Sequence, residues 1–96
     1  MNGRDHILEL LGGQDFVKAT DAKTFDREEY LGFLVGHFPK HYCRIEIVPD
    51  IYGTYGVIME RFLNDYCEAE QEHKRTPAEK LRELVLTFLE KEARSM

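Results

Sequence analysis

Apolar residues recur at helical spacing near the C-terminal end of the chain, at Leu81, Leu84, Val85, Phe88 and Leu89. They form one stripe, and Lys80, Arg82, Glu83, Glu90, Lys91 and Arg94 fall mostly opposite it. Ahead of the stripe, Thr76, Pro77 and Glu79 compose a capping box: a hydroxyl cap, a proline at the first helical position, and a carboxylate that returns to the cap. A helix is predicted over 76–93. Leu86 lies off the stripe, which marks either a wider buried face or a dimer contact.

The same period is legible from Val57 to about His73. Ile58, Met59, Phe62, Leu63, Tyr66 and Ala69 line one side; Glu60, Asp65, Glu68 and Glu72 line the other. Lys74 and Arg75 follow, where positive charge suits a helix C-terminus. The link to the last helix is only about three residues, so the two are expected to fold back as an antiparallel hairpin.

Asp26 to Phe38 reads as a third helix. Asp26 and Glu29 outline a second capping box, and Tyr30, Leu31, Phe33, Leu34, Val35 and Phe38 span an apolar arc. Gly32 and Gly36 share the face opposite, each costing about 1 kcal/mol in a helix interior. They suit a close backbone approach, inside the protein or by a partner. Pro39 ends this helix.

The period then changes. Cys43, Ile45 and Ile47 alternate with Tyr42, Arg44 and Glu46, the signature of a half-buried strand over 41–48. Its neighbour could be Phe16–Thr20, Thr54–Met59 or a second copy of the chain. Arg4–Leu11 is a short helix stopped by Gly12 and Gly13. Asp15–Lys23 fits a short strand or a turn of helix equally well, and Pro49–Gly56 is a loop. The expected fold class is therefore α+β and mostly helical. About four helices surround one or two short strands, with the C-terminal antiparallel helical hairpin as spine. The alternative is an all-α bundle in which 41–48 is irregular.

The 96 residues suffice for one small domain spanning 1–96. Charge adds a direction to this picture. Of the net −5, residues 1–26 contribute −2 and residues 49–76 contribute −3, while 27–48 and 77–96 are balanced. Such a chain repels nucleic acid and anionic membranes unless a basic patch overrides the mean. A nucleic-acid binder would require Arg4, Lys18, Lys23, Lys40 and Arg44 to converge on one face. No apolar run reaches the roughly 20 residues that span a bilayer. Met1–Leu11 has no signal-peptide pattern, so a cytoplasmic protein with reduced Cys43 and Cys67 is expected.

Candidate chemistry is sparse. His37, His41, Cys43, Cys67 and His73 are zinc-type ligands, but their spacing matches neither a C-x-x-C knuckle nor an H-E-x-x-H helix. His37, His41, Cys43 and Cys67 remain the residues of an alternative reading as a metal-dependent module or small enzyme. Ser95 is the only serine, and a cysteine nucleophile would need an activating neighbourhood. The turn Gly53–Gly56 matches no phosphate-binding motif. No catalytic set, metal or cofactor is assigned.

Two contact surfaces are expected instead: the acidic side of 57–73, carried by Glu60, Asp65, Glu68 and Glu72, and Tyr52 and Tyr55 on a glycine-rich loop. Exposed tyrosines on such loops anchor partners well. The function expected is a small acidic regulator, inhibitor, immunity or adaptor protein. It would bind another protein with a basic surface, including one that itself holds nucleic acid. A homodimeric structural subunit is a further alternative.

Overall fold

The computed structural model describes residues 3–93. Two helices, α1 (Gly3–Leu11) and α2 (Gln14–Thr20), precede a sheet of β1 (Lys23–Thr24), β2 (Leu31–His37), β3 (His41–Pro49), β4 (Tyr55–Leu63) and β5 (Tyr66–Thr76). Helix α3 (Ala78–Ala93) follows. The strands are antiparallel and lie side by side in chain order. The expectation of a mostly helical fold is thus overturned, and so is the all-α alternative. Among the described residues the centre of the molecule is a five-stranded meander, with helices against one side.

Two segments account for the difference. Residues 57–73 are a β-hairpin, not half of a helical hairpin. Asn64 and Asp65 both adopt positive φ, 49° and 69°. That is the backbone of a tight two-residue hairpin turn, which asparagine and aspartate tolerate better than other non-glycine residues. Once the chain reverses there, Val57 and Met59 face the helices, and Ile58 and Glu60 face away.

Residues 31–37 are likewise a strand. Gly36 sits at φ 115°, outside any helix, and a Cβ there would stand 2.7 Å from the His41 carbonyl oxygen. Gly32 lies beneath the Phe25 ring, whose nearest atom would be 2.6 Å from an added Cβ. The two glycines serve close approach within this chain.

Elsewhere pattern and structure coincide. The alternation over 41–48 becomes β3, paired with β2 and β4. The stripe near the C-terminus becomes α3, and Gly12 and Gly13 follow α1 at positive φ. The ambiguous segment becomes α2, then β1.

The core lies between the sheet and the helices. Leu31, Phe33, Cys43, Ile45, Ile47, Val57 and Met59 meet Ile7, Leu11, Phe16, Leu81, Val85, Phe88 and Leu89. Leu86 packs partly buried against this cluster, so it belongs to a wide inner face of α3. Arg82 Nε donates to the Leu11 carbonyl at 3.1 Å, tying the end of α1 to α3. One charged pair is enclosed with the apolar groups: Arg61 Nε lies 3.2 Å from Glu92 Oε2, whose side chain is 8% exposed. No helix among the described residues is long and apolar enough to cross a membrane.

Candidate functional site

The helices cover one side of the sheet; the other carries the unusual chemistry. Strand register orders its residues in rows. Gly32, Glu46, Ile58 and Glu72 form one row, and Lys23, Leu34, Arg44, Glu60 and Glu70 the next. Gly36, Tyr42, Phe62 and Cys67 form a third. Four carboxylates therefore gather on the middle and outer strands.

Arg44 serves two of them, donating from Nε to Glu46 at 3.0 Å and standing 3.7 Å from Glu60. Lys74 lies 3.8 Å from Glu72 with both side chains well exposed. Glu70 makes no ion pair among the described residues, although it is directly opposite Glu60. Like charges so placed oppose sheet formation. The acid excess is built into the face at a cost in stability.

An aromatic ladder borders these acids. Phe38 and Tyr42 meet edge to face at 5.0 Å, and Tyr42 stacks on Phe62 at 5.0 Å. Phe38 is 63% exposed at the turn between β2 and β3. Asn64 N–H donates to the Lys40 carbonyl at 2.7 Å, holding that turn against the turn between β4 and β5. Burial first, then the Asp65 carboxylate, push the Tyr42 phenol above its ordinary range. Tyr42 itself is buried between its neighbours, so Phe38 is the ring of this ladder that a lysine or arginine side chain can reach.

The four predicted acidic residues are thus divided. Glu60 and Glu72 share the open face. Asp65 occupies the β4–β5 turn beside Tyr42, roughly 20 Å along the strand from Glu72. Glu68 is the extra residue in a bulge, where the register slips between Arg61 and Phe62. They do not form one helix face, because there is no helix. Glu70, Glu46 and the aromatic ladder were not among the expected residues. For Glu70 the signal in the chain is its two-residue spacing from Glu72, which a helical period over the same segment hides.

The two tyrosines also part company. Tyr55 faces the core at 8% exposure. Tyr52 is 95% exposed at the tip of the β3–β4 loop, with φ 55°. Asp50 fixes that loop. Its carboxylate accepts from Ile51 N–H at 2.8 Å and from Arg75 N–H at 3.3 Å, joining the loop to the end of β5. Thr54 N–H and hydroxyl both donate to the Ile51 carbonyl. Tyr52 therefore stands on a braced loop.

The histidine and cysteine alternative is not assembled. His37 and His41 pair across β2 and β3, beside Thr20 and Asp21, on the helix side of the sheet. Cys43 is enclosed in the core, and Cys67 is on the opposite face. Burial, with Glu92 nearby, pushes the Cys43 thiol up to about 11. Burial and then Glu60 raise Cys67, which donates to the Ala69 carbonyl at 3.4 Å. Both thiols are shifted away from the thiolate a nucleophile requires. Of the basic residues, Lys23 and Arg44 share one row of the open face, where Arg44 is held by the acids, while Arg4 lies near Asp5 and Asp26. Neither a family model, nor a curated protein, nor a solved structure matches this chain.

Proposed function

We propose that this protein is a binding module that captures a basic segment of another protein on its open sheet face. The carrying observation is the carboxylate pair of Glu60 and Glu70, set opposite each other with a single guanidinium nearby and an aromatic ladder alongside that is exposed at Phe38. A solvated face could scatter its acids at no cost in stability. This one concentrates them across two strands, where repulsion between neighbours is greatest. Field lines from such a cluster raise the encounter rate with cations and fall away with salt. An inhibitor, immunity protein or adaptor directed at a basic surface is the corresponding role.

The test compares wild type with Glu60→Gln/Glu70→Gln/Glu72→Gln in affinity capture from a host lysate at low salt. Wild type should retain basic proteins that high salt releases, and the triple variant should retain few. Equal capture of the same proteins by both would contradict the reading.

A further inference from the structure

Strand β5 is the outermost strand and, at 11 residues, the longest. Its outer edge has no partner strand among the described residues. The opposite edge is treated differently, since the two-residue β1 and the Phe25–Gly32 backbone bond cover part of β2. An uncovered edge offers a row of backbone donors and acceptors.

Beside this edge lies an open groove of about 580 Å³. Its strand side includes Glu72, His73, Lys74 and Arg75, and its helix side includes Lys80, Glu83, Leu84 and Thr87 of α3. Helix α3 packs over β3 and β4, so its outer flank stands beside β5 as a wall without a strand beneath it. His73 and Gln71, bonded to each other at 3.1 Å, are only partly buried on that side. Edge, floor and wall have the form of a slot for one more strand.

We propose that β5 accepts an extended segment of the partner as a sixth strand, and that this segment alternates basic with small or β-branched residues. This rests on the binding reading above and specifies its geometry. Side chains in an added strand alternate between faces. Those on the open side meet Glu70 and Glu72, which calls for lysine or arginine. Those on the helix side meet Leu84 and Thr87, which calls for threonine or valine. The same acids disfavour a second copy of β5 in the registers that bring them together. Paired antiparallel about Gln71, Glu70 faces Glu72 of the copy. Paired about Glu70, Glu68 faces Glu72 and Glu70 faces itself. The braced Tyr52 loop, bonded to Arg75, closes the C-terminal end of the edge.

The probe is a synthetic peptide of β5's length alternating lysine with threonine and valine, titrated calorimetrically at low salt. Two further peptides carry backbone N-methyl groups on all odd or all even residues. A strand added to one edge turns only every second N–H toward β5. One methylated peptide should therefore weaken about tenfold or more, and the other should bind nearly as the parent does. Thr87→Trp, which fills the slot from an exposed position without changing charge, should weaken the parent peptide similarly.

Binding that neither methylation nor Thr87→Trp alters would overturn strand addition while leaving acidic-face capture intact. No binding of the parent peptide would overturn both. A homodimer broken by Thr87→Trp would replace the basic partner by a second copy.

Discussion

Replacing Glu70 with glutamine should make the protein more stable and a weaker binder at once. Carboxylate oxygens of Glu60 and Glu70, with the Cys67 sulfur between them in sequence, lie within 4.8 Å of one another. Two unit charges at that separation repel by about 0.9 kcal/mol even at the dielectric of bulk water. Salt screening reduces this, and so does Arg44 beside Glu60. Partial enclosure of Glu60, whose side chain is 16% exposed, increases it. The net repulsion is on the order of 0.5–1 kcal/mol. Glutamine keeps the shape and removes the charge. In a domain of this size the gain corresponds to a rise of roughly 2–8 °C in Tm. Urea unfolding should show a higher midpoint with an unchanged slope. In about 1 M salt, where the screening length is near 3 Å, the difference should shrink. A Glu70→Gln variant no more stable than wild type at low salt would refute the claim that this face holds its acids against their own repulsion.

Three further outcomes concern stability. Glu92→Ala should cost about 2–4 kcal/mol in urea unfolding by leaving Arg61 uncompensated, and Arg61→Leu/Glu92→Leu should recover much of it; equal losses in both variants would mean that packing, not charge, decides. The Cys43 thiol rises from 9.0 to about 11 on folding, so the folded state favours its neutral form. That contribution is complete below pH 9 and is lost as pH climbs toward 11, about 3 kcal/mol in all; Cys43→Val should flatten this part of the pH–stability curve. Gly36→Ala should destabilise by about 2 kcal/mol or more, since φ 115° and the nearby His41 carbonyl both exclude a Cβ; a neutral result by thermal melting would contradict the strand geometry of β2.

The chain announces some of its fold and conceals the rest for identifiable reasons. Residues 41–48 and 76–93 were legible because one period, two or 3.6, holds without competition. Residues 57–73 were not, because Ile58, Met59, Phe62 and Leu63 satisfy the helical period by accident of inward and outward apolar residues. On a sheet with an aromatic ladder outside and a core inside, consecutive residues are apolar and period 2 disappears. The turn at Asn64 and Asp65 carries no glycine, which removed the strongest hairpin signal. Gly32 and Gly36 did register as unfavourable to a helix, and that cost was the cue to a strand. For the site, acid enrichment over 49–76 was visible in composition. Its arrangement required the register, which pairs Glu60 with Glu70 and sends Asp65 to the far turn.

Amide chemical-shift mapping during titration with the alternating lysine peptide locates the binding face residue by residue. The expected shifts concentrate at Arg44, Glu46, Ile58 and Glu60, along 67–74, and at Leu84 and Thr87 of the groove wall, with the α1 and α2 amides unmoved. Shifts centred instead on α1 and α2, or spread evenly over the surface, would contradict capture on this face.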